Sequence, residues 1–323
     1  MSIFRGPIKR FLVSSPKIWT YGLMPQQCST LRGSTSRSPR IMLNINGRLI
    51  DPHQRQFLRK AYSFCMNENG GIMGIFKENS KSKQQFSVLR KMHGEKHSSR
   101  MFSKCEPTLM EPKGKVAIIT GGIRGLGLCM AEELLCLEAK VVLMDVDKEV
   151  GECAVEKLQC TYGKENSIFV QGDVTSCESF EHCFSHALCS YNRVDILVNN
   201  AGILNPPKWK DTIKINFNGV VNGIHLGLKY MGADFGKQGG VIINLASIVG
   251  HIPLGGAPVY SATKHGVIAL TQGYADGFYF NNSCVRICAI CPGVTETNMI
   301  EVKNLNMDAQ QRDLLACQLD TIN

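Results

Sequence analysis

The stretch Lys115-Val116-Ala117-Ile118-Ile119-Thr120-Gly121-Gly122-Ile123-Arg124-Gly125-Leu126-Gly127 decides the fold. It opens with an apolar run of strand length, breaks on glycines, and leads into Leu128–Leu137, whose composition is helical. Glycine is required where the backbone turns sharply and where a pyrophosphate must come close to main-chain N–H groups at a helix N-terminus. A purely structural glycine turn is the competing reading, and the position between strand and helix favours phosphate binding. Thr120, Gly121, Arg124, Gly125, Leu126 and Gly127 are therefore candidate contacts for a dinucleotide.

Outward from this turn, short apolar runs alternate with amphipathic spacers of helix length. The runs are Lys115–Ile119, Val141–Asp145, Ile168–Gln171, Ile196–Asn199, Val241–Leu245 and Val285–Ile290. This alternation predicts βαβ units and a Rossmann-type, doubly wound α/β fold, with a parallel sheet and the ligand at the carboxyl ends of its strands. Asp145 ends the second run, 18 residues beyond Gly127. A carboxylate there accepts hydrogen bonds from the adenosine ribose hydroxyls and repels a 2′-phosphate, which favours NAD over NADP. Arg124 argues the other way, because a guanidinium in the glycine turn can pair with that phosphate, unless it is simply a solvated loop charge. Asp145 lies nearer the ribose and decides the reading. Asp173 and Val174, after the third run, are candidate contacts for the adenine, with a structural turn as the competing role.

Asn199-Asn200-Ala201-Gly202 follows the fourth run and Ser247 follows the fifth. Tyr260-Ser261-Ala262-Thr263-Lys264 comes next; on a helix Tyr260 and Lys264 stand at i and i+4 and share a face. A lone Tyr-x-x-x-Lys arises often by chance, whereas one preceded in order by the glycine turn, Asp145 and Ser247 is a constellation. Free tyrosine, with a pKa of about 10, is a poor base at neutral pH. A lysine beside it and the positive ring of an oxidised nicotinamide favour the phenolate and lower that value. Tyr260 can then take an alcohol proton as hydride leaves carbon, or return it in the reverse direction, while Ser247 holds the substrate oxygen and Lys264 also binds the nicotinamide ribose.

Together these residues resemble the short-chain dehydrogenase/reductase family, whose motifs are a Thr-Gly-x-x-x-Gly-x-Gly turn, Asn-Asn-Ala-Gly, and a Ser with Tyr-x-x-x-Lys. The similarity runs from about Lys113 to Thr297. Within the family the chain is most similar to the 15-hydroxyprostaglandin dehydrogenases and insect alcohol dehydrogenases. The words that carry this are Leu226-Gly227-Leu228-Lys229-Tyr230-Met231, Val241-Ile242-Ile243-Asn244 and Ala289-Ile290-Cys291-Pro292-Gly293, with a short spacer between Gly202 and Asn216. The resemblance implies an NAD-dependent enzyme that interconverts a small or lipid-like secondary alcohol and its ketone, with Asn216, Ser247, Tyr260 and Lys264 catalytic. It implies that Asn216 positions a water for a proton relay, that Asn200, Ala201 and Gly202 lie against the cofactor, and that Pro292, Gly293 and Thr297 contact the nicotinamide amide. The structural alternatives are Asn216 as a helix cap or kink and Ser247 as a strand-end cap. A homodimer through the helices at 207–232 and 258–280 is expected.

Two features depart from the family pattern. Only 26 residues follow Thr297, enough for one helix within 307–319 and no last strand, so the sheet edge is expected to be open. That departure favours a rival reading, a truncated, catalytically weakened member acting as a nucleotide-binding or scaffold protein. The second is Ala257, three residues before Tyr260, where prostaglandin-type enzymes carry a glutamine that helps hold substrate. Alanine cannot hydrogen-bond through its side chain, so a generic secondary alcohol is the substrate class expected.

The net charge of +9 is concentrated at one end. Residues 1–109 hold 19 Lys and Arg against 5 Asp and Glu, whereas residues 110–323 hold 17 against 22, so a basic leader and a mildly acidic domain meet near residue 110. Residues 1–50 contain no acid and have the composition of a mitochondrial transit peptide. Residues 52–109 are polar without a period and are expected to be mostly disordered. The equal alternative is a non-native extension, with the domain beginning at Met110 and the protein cytoplasmic. No nucleic-acid partner is expected, since no RNA-binding motif appears and aromatics are sparse in the leader. No apolar run reaches 18 residues, which argues against a transmembrane span. Fourteen cysteines without metal spacing read as free thiols. Cys288 and Cys291, three apart on a strand, point to opposite faces, and no metal site is expected.

Overall fold

The computed structural model describes residues 72–74, 110–293 and 307–322, all within the compact unit 42–323. Seven strands form one parallel sheet: β1 (Ile72–Gly74), β2 (Val116–Thr120), β3 (Lys140–Asp145), β4 (Ser167–Gln171), β5 (Ile196–Asn199), β6 (Gly240–Leu245) and β7 (Val285–Cys291). The last six coincide with the six apolar runs to within one residue at each end. Their order across the sheet is β1-β7-β6-β5-β2-β3-β4. The chain winds outward from β2 to β3 and β4, returns to β5 on the other side of β2, and continues through β6 to β7. The winding reverses between β2 and β5, and a doubly wound sheet receives its ligand in the crevice at the carboxyl ends of such a pair.

A parallel sheet covered on both faces needs apolar side chains at successive positions, and β2 is buried at every residue. Alternate residues feed two cores. Ala117, Ile119, Val141 and Leu143 pack with Met130 and Leu134 of α1 (Gly125–Cys136) and with Val155 and Leu158 of α2 (Lys148–Tyr162). Val116, Ile118 and Val142 face the other way, onto Phe180 and Phe184 of α3 (Cys177–Tyr191). The same core takes in residues beyond α4 (Trp209–Ile213), which runs through a π-helical turn at Lys214–Asn218 into α5 (Gly219–Met231). Ile224 of α5 and Val267 of α6 (Pro258–Tyr274) complete it. A short α7 (Gly277–Ser283) leads into β7. Inside the sheet, Asn199 donates to Asn244 at 2.9 Å and Asn244 to Thr271 at 3.0 Å, a buried polar ladder joining β5, β6 and α6.

Two elements differ from expectation. β1 comes from the stretch that shows no period in the sequence, and it pairs with Ala289–Cys291 of β7 at the edge expected to be open. Among its described residues the tail forms one helix, α8 (Ala309–Ile322), slightly longer than anticipated. Thr297 lies outside the described residues. Ten described cysteines stand outside any disulfide, as expected, but Cys284 is disulfide-bonded.

Candidate active site

Two loops meet at the switch point. Gly121 leaves β2 with φ +61°, and a Cβ on it would lie 2.9 Å from Ala201 Cα, so the turn needs glycine for both conformation and room. Gly127 packs against Gly121 O and the Asn200 amide, leaving no space for a side chain. Asn200 Nδ2 donates to the carbonyls of Thr120 and Gly121, each at 2.9 Å. Thr120 Oγ1 accepts from the N–H groups of Asn200 and Ala201 at 3.0 Å and donates to Val198 O at 3.3 Å. The side chains of Thr120 and Asn200 therefore lock the two loops together and shape the crevice. That is a more structural use than the direct contact read from the sequence.

The first helix after this turn is unlike its neighbours. Asp147 and Ser176 cap α2 and α3 through their side chains, whereas Arg124, the residue before α1, makes no side-chain cap bond. The first N–H groups of α1 are thus left for another acceptor, with Gly125 and Leu126 exposed or half-buried beside them. Asp145 closes β3, and burial pushes its carboxyl above the usual carboxylate range, opposed by the Asp147 N–H and the Arg124 charge. Arg124 is neither free nor merely solvated: its Nη2 donates to Asp147 Oδ2 at 2.7 Å. At the end of β4, Asp173 is exposed and its Oδ1 accepts from Thr175 N at 2.8 Å, as a structural turn would have it. Val174 is buried beneath it, with its carbonyl accepting from Asn222.

Beyond β5 and β6 the residues expected to be catalytic converge. Tyr260 and Lys264 share one face of α6, and Lys264 Nζ sits 5.7 Å from the Tyr260 ring centre. Ser247 stands close enough to Tyr260 to lower the pKa of its phenol, and its Oγ accepts from Val249 N at 3.3 Å, so it serves as a strand-end cap as well. Lys264 Nζ donates to Leu245 O at 2.7 Å. A Cβ built on Gly202 would stand 3.3 Å from Asn216 Oδ1 and 3.7 Å from Lys264 Nζ, which places the β5 loop against both. Asn216 is fully buried in the π-helical turn; its amide exchanges two hydrogen bonds of 2.8 Å with the Ile203 backbone. Its side chain therefore staples the loop after Gly202 to the helix. Pro292 O accepts from Ile248 N at 2.9 Å, which brings Pro292 and Gly293 beside Ser247.

The electrostatics run against the sequence argument. Burial pushes the Tyr260 phenol up to about 12, with the Ser247 side chain opposing. Burial likewise brings the Lys264 ammonium down to about 8. In the protein alone, desolvation outweighs any help Lys264 gives the phenolate.

Sequence reasoning missed four contributors, Trp209, Gln311, Cys291 and Asp147. A cavity of about 310 Å³ opens beside Tyr260, lined among others by Trp209, Thr212, Ala257 and Gln311. Gln311 belongs to α8, whose Leu315 and Leu319 pack with Ala257 and Tyr260 in a separate apolar cluster. Cys291, at the end of β7, receives the Ser247 N–H, and burial pushes its thiol up to about 11. Asp147 was legible as a helix cap following a strand; nothing in the sequence marks Gln311 or Trp209.

The strand order, the glycine turn locked to the β5 loop and the polar cluster at the switch point define a Rossmann-type α/β protein. The chain matches the short chain dehydrogenase family over residues 115–308 and belongs to that family of oxidoreductases. It is 40% identical to human 15-hydroxyprostaglandin dehydrogenase [NAD(+)] over 192 residues, covering 59% of this chain and 72% of that one. It is 33% identical to Alcohol dehydrogenase 2 of Ceratitis capitata over 186 residues, covering 57% and 71% of the two chains. A crystal structure of a short chain dehydrogenase/reductase from Burkholderia phymatum in complex with NAD superposes with a TM-score of 0.57 at 26% identity, covering 66% of this chain and 80% of that one. Among the described residues no helix is long and apolar enough to cross a membrane, and no group of three His, Cys, Asp or Glu could hold a metal.

Proposed function

We propose that the chain is an NAD-dependent dehydrogenase that interconverts a secondary alcohol and its ketone, with Tyr260 as the proton-transfer group. The observation that carries this reading is the convergence of Ser247, Tyr260 and Lys264 beside the crevice where the glycine turn meets the β5 loop. The crevice fits a dinucleotide: α1 begins without a side-chain cap, Gly121 makes room for close backbone approach, and Asp145 stands at the end of β3 to accept from the ribose hydroxyls. The relatives named for NAD support the same cofactor. When bound, it supplies the hydride acceptor and a positively charged ring.

The chain's own residues do the rest. Ser247 orients the substrate oxygen next to the Tyr260 hydroxyl, and Tyr260 gives or takes the proton there. A phenol held near 12 is protonated at neutral pH and is ready to donate to a carbonyl. Removing an alcohol proton needs added positive charge or alkaline pH. Lys264 lies close enough to supply part of that charge and to reach a ribose hydroxyl. Asn216 holds the loop from which Gly202 faces Lys264, so a water relay there would use the Asn216 backbone. The cavity beside Tyr260 has no charged lining residue and suits an uncharged alcohol. The packing of α8 against the tyrosine side of the site favours an enzyme over the scaffold reading, which rested on the short tail. A homodimer through α5 and α6 belongs to the same proposal.

The test is NADH formation at 340 nm by the full chain with a panel of secondary alcohols, beside Tyr260→Phe. We expect turnover with NAD that falls by at least about a thousandfold in Tyr260→Phe. Dinucleotide binding without turnover in any alcohol would instead favour the scaffold.

A further inference from the structure

We infer that Asp147 is a specificity-determining residue: it holds Arg124 in an ion pair and so keeps this guanidinium from accepting the 2′-phosphate of NADP. The inference rests on the dinucleotide reading above and extends it to a residue that does not itself face the ribose.

Three charges stand at one corner of the crevice. Asp145 ends β3, Asp147 follows two residues later at the N-cap of α2, and Arg124 reaches across from the glycine turn. Arg124 Nη2 donates to Asp147 Oδ2 at 2.7 Å, and Asp147 N donates to Asp145 Oδ1 at 3.3 Å. The two turns are tied together by Gly121 N donating to Met144 O at 2.8 Å, so the guanidinium lies beside the strand end that faces the adenosine ribose. Its side chain is half exposed, at 51%, and is held by Asp147 rather than by packing. A free arginine there would be the feature of a 2′-phosphate site, because its planar fork binds phosphate in two hydrogen bonds. With Asp147 in place the guanidinium is already occupied, and the three side chains together carry one net negative charge, which repels a phosphate dianion.

Asp147 has a second duty that makes the test clean. Its Oδ1 accepts from Val150 N at 3.2 Å and caps α2. Asparagine and serine cap helices as well as aspartate does, so Asp147→Asn and Asp147→Ser remove the charge and keep the helix start.

The experiment is titration of the full chain with NADH and with NADPH, followed by nucleotide fluorescence, for wild type, Asp147→Asn, Asp147→Ser and Arg124→Gln/Asp147→Asn. The ratio of NADPH to NADH affinity is expected to rise about three- to tenfold in both single variants, the size of one partly exposed charge-assisted contact. It is expected to return toward the wild-type ratio in the double variant. A single-variant ratio equal to wild type, with NADH still bound, overturns the inference. A gain that survives loss of Arg124 also overturns it, because the gain would then come from relieved repulsion alone. A wild-type chain that binds neither nucleotide would refute the dinucleotide reading itself, and this inference with it.

Discussion

Lys264 shows how a buried ionisable group opposes stability where function wants it. It is 5% exposed, and its ammonium falls from an ordinary 10.5 to about 8 through burial. A lysine whose folded pKa is lowered binds its proton more weakly in the native state than in the unfolded chain. The destabilisation is therefore fully present below about pH 8 and fades as pH rises toward 10.5. A shift of this size corresponds to about 3 kcal/mol, less about 1 kcal/mol for the hydrogen bond to Leu245 O. Lys264→Met, similar in length and apolar, is predicted to abolish turnover while raising the thermal midpoint of the free protein at pH 7, with the gain shrinking by pH 10. A variant less stable than wild type at pH 7 would show that the burial argument has the wrong sign. The residues of this cluster were legible because order and the i, i+4 spacing are sequence properties. The direction of the pKa shifts was not, because it depends on how deeply neighbouring elements bury the phenol and the ammonium. The same holds for Thr120 and Asn200, whose polar side chains read as ligand contacts until the loop partner that engages them is known.

Among the elements, the six strands were legible because each is a compact apolar run between glycines or charges, and the helices followed from the spacing between runs. The seat of α8 was not. Its anchors join residues far apart in sequence: Gly256 N donates to Gln318 Oε1 at 3.0 Å, and Gln311 Nε2 donates to Gly256 O at 3.3 Å. Gly256 also faces Leu315, and a Cβ there would come within 2.9 Å of the Leu315 backbone nitrogen. Gly256→Val must therefore displace α8, losing the burial of Leu315, which is about 2 kcal/mol. Because α8 packs on the tyrosine side and away from the glycine turn, KM for the alcohol is predicted to rise on the order of tenfold, each decade being about 1.4 kcal/mol. NADH affinity is predicted to hold, and hydrogen exchange along α8 to speed up. An unchanged KM with α8 freely exchanging would mean that the helix does not border the substrate.

At the scale of the whole molecule, alternation of strands and helices predicts the winding, and the winding predicts where the site lies. The edge of the sheet was beyond that logic. Ile72–Gly74 is too short to display a period of two, and its pairing with Ala289–Cys291 links segments more than 200 residues apart. An unpaired β7 would present a row of backbone N–H and carbonyl groups to solvent or to another chain. Comparing the full chain with one lacking Ile72–Gly74 tests what β1 contributes. Loss of a short ladder removes about 1–2 kcal/mol, which for a domain of this size lowers the thermal midpoint by roughly 2–8 °C. The shorter chain should also self-associate through β7 as its concentration rises. Dinucleotide binding should persist, since β6 and β7 stand between that edge and the crevice at β2 and β5. Equal midpoints and equal monodispersity for the two chains would show that β7 needs no cover and that β1 adds nothing to the fold.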